Sequence, residues 1–82
     1  MSDKQEHWQQ LERALFELVD GLASRIDEEN VALLRDFIEN REYGVALEWL
    51  HAVINRCSIP LTSEQTVAID RLSDSMGIKL EE

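Results

Sequence analysis

Cys57-Ser58-Ile59-Pro60-Leu61-Thr62-Ser63-Glu64-Gln65 is the stretch from which the chain reads outward in both directions. Pro60 has no amide hydrogen to give a helix and disfavours helical dihedrals at Ile59. A helix arriving from the N-terminal side therefore ends at about Arg56. Thr62 followed three residues later by Gln65 has the form of a capping box, in which each side chain satisfies the other's free backbone amide. A new helix is predicted over residues 63–76, burying Ala68, Ile69, Leu72 and Met76. Gly77 is placed to end it in the left-handed conformation, with Ile78 folding back as in a Schellman turn.

Toward the N-terminus the apolar residues keep a period of about 100° per residue and nowhere alternate as a strand would. Residues 44–56 form the third predicted helix, with Ala46, Leu47, Leu50, Val53 and Ile54 on its inner face. Tyr43 and Cys57 stand at its two ends, Tyr43 with its hydroxyl expected in water and Cys57 as a small core residue. Arg41-Glu42-Tyr43-Gly44 connects it to a second helix, residues 28–40, which buries Val31, Leu34, Phe37 and Ile38. Asp27 is the expected N-cap there, and Glu28 and Glu29 lie where the helix dipole favours negative charge. The first helix, residues 4–26, carries Trp8, Leu11, Leu15, Leu18, Val19, Leu22 and Ile26 on one stripe. Gly21 interrupts it at a cost of about 1 kcal/mol relative to alanine, which marks a bend or a close helix contact. Short connections favour antiparallel neighbours, so residues 1–82 read as one all-α domain, a compact bundle of four helices.

Seventeen carboxylates against eight Lys and Arg give this short chain a formal net charge of −9. Such an excess repels nucleic-acid phosphates and anionic membranes and attracts positive surfaces. The expected partner is a basic protein. Cys57 is the only cysteine, which precludes an intramolecular disulfide and suits a reducing compartment. Neither a secretion signal nor a run of about 20 apolar residues is present, so the expected location is the cytoplasm.

Catalytic patterns are weak. The two histidines, His7 and His51, have no nucleophile within a helical turn, since Cys57 lies six residues beyond His51. Glu48 and His51 have the Glu-x-x-His spacing of di-metal bundles, but such sites need two pairs facing the core, and this pair points away from the apolar stripe. No glycine-rich phosphate loop occurs. The expectation is a non-enzyme with no cofactor and no metal.

What remains is surface. Val45, Trp49 and Ala52 fall off the inner stripe of the third helix, bordered by Glu42, Glu48 and Arg56. Asp36 and Glu39 point outward from the second helix beside Ala32, and Val67 stands among Asp70, Arg71 and Asp74 on the fourth. Trp49 has two readings at this point: an interface anchor, since such anchors favour tryptophan, or a cover for the groove against a neighbouring helix.

The stretch Leu33-Leu34-Arg35-Asp36-Phe37-Ile38-Glu39-Asn40-Arg41-Glu42-Tyr43-Gly44-Val45-Ala46-Leu47-Glu48-Trp49-Leu50 resembles the centre of the MafI-type immunity proteins. The carrying positions are Glu42, Gly44, Ala46, Leu47, Glu48 and Leu50, then Ile59-Pro60-Leu61-Thr62 and Met76-Gly77-Ile78. His51, Ala52 and Asn55 depart from the pattern of Cys or acidic residues that often follows. The resemblance implies a small acidic helical protein that neutralises a bacterial polymorphic or contact-dependent toxin, with an EndoU-type ribonuclease as the narrower expectation. A nuclease must present a basic cleft to phosphates, so the resemblance and the charge point the same way. The expected toxin-binding residues are Asp36, Glu39, Glu42, Glu48 and Trp49, acting from a monomer in the complex. The alternative is a homodimeric helical adaptor that uses the same leftover apolar residues to associate with itself.

Overall fold

The capping box between Thr62 and Gln65 forms in both directions: the Gln65 amide donates to Thr62 Oγ1 at 3.1 Å, and the Thr62 amide donates to Gln65 Oε1 at 2.9 Å. The computed structural model describes residues Ser2–Leu80, with side chains from His7 onward. Its helices are α1 (Ser2–Leu22), α2 (Glu28–Glu39), α3 (Tyr43–Cys57) and α4 (Ser63–Met76). No strand occurs among the described residues. The all-α, four-helix architecture read from the sequence is therefore the fold.

The first helix is shorter than its hydrophobic pattern implied. It stops at Leu22 and gives way to a 3₁₀ turn over Ala23–Arg25, after which Ile26 is extended with φ −116° and ψ 143°. The tighter turn and the extended residue reverse the chain while still delivering the Ile26 side chain to the core. Asp27 occupies the N-cap position of α2 but its side chain accepts no capping hydrogen bond, so only Glu28 and Glu29 serve that terminus, through the dipole. Of the bend or close helix contact expected at Gly21, no tight approach is present: a Cβ there would stand 3.4 Å from Gln65 Nε2, an ordinary van der Waals distance.

Three helices end in the same way. Arg41, Ser58 and Gly77 adopt positive φ of 63°, 51° and 66° just beyond α2, α3 and α4. In each case the amide of this residue and that of the next bond back to two carbonyls of the last turn, as a Schellman turn requires. Arg41 and Glu42 donate to Ile38 and Phe37, Ser58 and Ile59 to Asn55 and Ile54, and Gly77 and Ile78 to Asp74 and Ser73. Glycine adopts this conformation freely at Gly77, whereas Arg41 and Ser58 carry a Cβ into it at a cost.

α1 and α3 form the middle of the bundle, each packing against both α2 and α4. The α1–α2 turn and the α3–α4 loop meet at one end, where Arg25 Nη1 donates to the Pro60 carbonyl at 3.3 Å. Leu15, Leu22, Leu34, Ile38, Leu47 and Leu50 lie fully inside, and among the described residues no polar or charged side chain is buried with them. Burying several such side chains at about 1.5–3 kcal/mol each is what holds a domain of this size.

Several residues assigned to the core from periodicity sit elsewhere. Trp8 is 49% exposed, and Phe37, Ala68 and Met76 are only partly buried. Cys57 is exposed, because the left-handed turn at Ser58 swings Ile59 back to fill the end of the core in its place. Tyr43 is the reverse case. It is buried, and its hydroxyl, expected to be wet, donates instead to Glu12 Oε2 at 3.0 Å across the α1–α3 contact.

Candidate functional site

The outer side of the α2–α3 hairpin is the best-defined surface feature, and it is built around Trp49. This side chain is 40% exposed, with its Nε1–H donating to Asn30 Oδ1 at 3.1 Å. Its ring meets Phe37 edge-on, with centroids 6.2 Å apart and planes at 64°. Trp49 thus rests in the α2–α3 groove between two α2 residues almost two turns apart. It covers the groove against the neighbouring helix while leaving part of its surface in solvent.

The expected site residues are placed by the helices that carry them. Asp36 precedes Phe37 on the outer side of α2, and Glu48 precedes Trp49 on the outer side of α3; both are exposed. Glu29, next to Asn30 and seven residues before Asp36, lies on the same side and was not among the expected residues. Asp36, Glu48 and Glu29 are therefore exposed on the outer sides of the two helices whose groove Trp49 covers. Glu39 does not join them. It follows Arg35 by one turn, on the flank that faces α1, where Arg35 Nη2 bonds Asp20 Oδ1 at 2.7 Å. Glu42 is on the Trp49 stripe of α3 but seven residues, about 10 Å, toward the N-terminus. Val45 lies between them and is exposed, as are Ala52 and Arg56 further along.

Residues 27–57 carry seven carboxylates against three arginines, so most of the charge excess of the described residues lies on this hairpin. The Arg35–Asp20 pair is the one ion pair among the described residues. Being exposed, it adds at most about 1 kcal/mol. Glu29, Asp36 and Glu48 are exposed and form no ion pair among the described residues.

A second concavity lies where the overhanging start of α1 meets the start of α3. Trp8 stacks on Tyr43 with centroids 5.6 Å apart and planes at 28°. Together with Gln9, Glu12 and Arg41 they line a cleft of about 390 Å³. Burial first, then the hydrogen bond and charge of Glu12, raises the Tyr43 phenol above its ordinary pKa of 10.0, while Arg41 acts in the opposite sense. An adjoining groove of about 520 Å³ runs under Leu11 and Met76, with Glu42 at its edge. There Gly44 lets the chain after α4 approach: a Cβ on it would stand 3.0 Å from Ile78 Cδ1. Sequence periodicity could not signal these concavities, because their residues come from three separate segments. The eight-residue spacing of Asn30 from Ile38, which puts Asn30 beside the apolar stripe, was the one local hint that it could meet a neighbouring helix.

Other chemistry-bearing residues are dispersed. His51 is half-buried with its Nε2 at 3.5 Å from Asn55 Nδ2, and Glu48 of the same Glu-x-x-His spacing is exposed. Among the described residues no three His, Cys, Asp or Glu side chains group as metal ligands would. No described helix is long and apolar enough to cross a membrane. Compared with models of known families, with curated proteins and with solved structures, the chain matches none.

Proposed function

We propose that this chain is an inhibitor that docks its α2–α3 hairpin on a basic protein, in the manner of the immunity proteins it resembles. The observation that carries the reading is the excess of seven carboxylates over three arginines in residues 27–57, the hairpin on which Trp49 is left 40% exposed. A part-exposed tryptophan held in place by Asn30 and Phe37, on an acidic hairpin, has the make-up of an interface anchor. The outlying carboxylates steer encounter and raise the association rate, while the central contacts set residence time.

The partner under this reading is a toxin domain, and a nuclease is favoured because its substrate demands a cationic cleft. An EndoU-type ribonuclease is the narrower proposal, and it rests on the resemblance alone. The inhibitor would cover the cleft and exclude phosphates, with Asp36, Glu48 and Trp49 at the centre of contact and Glu42 and Glu39 toward the rim. It would act without catalysis and without a cofactor, from the cytoplasm of the cell it protects.

The test is calorimetry of the purified chain with the basic domain encoded by the neighbouring reading frame. Tight binding that Glu48→Lys weakens several-fold and that slows as salt rises is the expected result. Absence of binding, or binding untouched by both Glu48→Lys and Trp49→Ala, rules the hairpin out. A homodimeric adaptor is the competing reading, supported by the exposed Val45 and Val67. Sedimentation at micromolar concentration separates the two, since an adaptor of this kind sediments as a dimer with little response to salt.

A further inference from the structure

We infer that the groove between α1 and α4 is a contact surface for a second copy of this chain, which docks its own α4 antiparallel about a two-fold axis passing between Val67 and Ala68. The groove, about 490 Å³, is lined by Ala14 from α1 and by Ser63, Glu64, Val67, Ala68 and Arg71. Glu64, Val67, Ala68 and Arg71 follow the i, i+3, i+4, i+7 spacing that puts four side chains on one face of a helix. Ile69 and Leu72 face the core from the adjoining side, so Glu64, Val67 and Arg71 remain exposed.

The charge pattern of this face selects the occupant. Glu64 and Arg71 stand two turns apart at its ends, with Val67 and Ala68 between them. Reversing the same helix upon itself brings Glu64 of each copy opposite Arg71 of the other and sets Val67 against Ala68. A parallel arrangement would put like charges together, which costs energy. Neither Glu64 nor Arg71 has an ion pair among the described residues, so both are free for this exchange. Ala14 and Ala68 are small, which leaves room for Val67 of the second copy to enter the groove as a knob enters a hole.

Repulsion between copies is also weaker here than at the hairpin. Residues 63–80 carry three carboxylates against Arg71 and Lys79, whereas residues 27–57 carry seven against three arginines. α2 and α4 each pack against both α1 and α3, on opposite sides of that pair, so the contact leaves the hairpin open and stands independently of the inhibitor reading. A face of two helical turns buries less than the about 1,200 Å² of a stable interface, so the copies should be separate at micromolar concentration and pair at about 100 µM.

Sedimentation equilibrium of the full chain, carried from about 10 µM to about 1 mM, reads the association. The parent should be monomeric at the low end and dimeric at the high end. Glu64→Arg and Arg71→Glu each set like charges face to face across the axis and should weaken association about five-fold or more. Glu64→Arg also makes the chain less negative, so a loss of association in that variant cannot come from overall charge. An equimolar mixture of the two single variants should pair again, because opposite charges then meet at both ends, and the double variant should pair for the same reason. Val67→Lys should abolish association. All three positions are exposed, and circular dichroism of each variant should match that of the parent. A parent that stays monomeric at about 1 mM overturns the inference. So does association that survives Val67→Lys, or a mixture or double variant that pairs no better than the single ones. Each of these results leaves the inhibitor reading standing, since docking through the hairpin needs no second copy.

Discussion

Replacing Tyr43 with phenylalanine tests the link between α1 and α3 with the smallest possible change. The ring is buried and stacked on Trp8, and Phe keeps both features. What is removed is the hydroxyl that donates to Glu12 Oε2 at 3.0 Å. A hydrogen bond to a charged acceptor contributes about 1.5–3 kcal/mol, and a cleft open to water recovers part of that by hydrating Glu12. A loss of about 1 kcal/mol follows, which lowers the melting temperature of a domain this size by roughly 4–8 °C. The pH dependence supplies a second, independent readout. The folded phenol titrates above 10.0, so the folded state holds its proton more tightly than the unfolded one. Its contribution is fully present below about pH 10 and is lost as pH rises through the raised folded value. The stability difference between parent and Tyr43→Phe should thus be constant from neutral pH to about pH 9 and shrink above 10. Urea unfolding followed by circular dichroism measures the first effect. Because Tyr43 is the only tyrosine, the phenolate absorbance of the native protein reports its titration directly. A native midpoint at or below 10.0, or a variant as stable as the parent at neutral pH, would refute the account of this contact.

Other perturbations have equally defined outcomes. Ser58→Gly relieves a left-handed Cβ at the end of α3 and should raise stability by about 0.5 kcal/mol after the extra freedom of the unfolded glycine is deducted, as read from the urea midpoint. Thr62→Ala removes one half of the capping box and should cost about 1 kcal/mol in the same assay. Leu47→Ala opens a cavity at a fully enclosed position of the central helix and should cost about 2–5 kcal/mol, enough to leave much of the chain unfolded by circular dichroism at 37 °C (roughly body temperature). Glu48→Lys should leave the melting temperature within about 2 °C of the parent, because this side chain is exposed and makes no contact that its loss would break. A larger shift would mean that any loss of binding in that variant reflects folding.

The ends of α4 were legible because they are local: Thr62 and Gln65 can find each other, and Gly77 can turn left-handed, without reference to the rest of the chain. The same holds for the inner faces of α2 and α3, where Val31, Leu34, Ile38, Leu47 and Leu50 recur at helical spacing and are buried. The break at Leu22 was not legible. Leu22 and Ile26 are one helical turn apart in sequence, and both are buried, but a 3₁₀ turn and an extended residue connect them. Periodicity records that two side chains face the core and is silent about the backbone path between them.

Composition and local pattern on their own determined an acidic all-α chain, its helix-forming segments and most of its core, because burying an apolar stripe is required in any packing of those helices. Which half-apolar residues are left outside was decided only by tertiary structure. Phe37 and Trp49 stand at the margins of their stripes, where a rotation of one helix against its neighbour moves a side chain from core to solvent, and Trp8, Tyr43 and Cys57 stand near helix ends, where the adjoining segments decide what is covered. The packing of α1 on α3 draws the Tyr43 hydroxyl onto Glu12. The packing of α2 on α3 ties the Trp49 N–H to Asn30 and leaves part of its ring in water. These contacts join residues 31 and 19 positions apart, and no local preference of the backbone extends over such a distance.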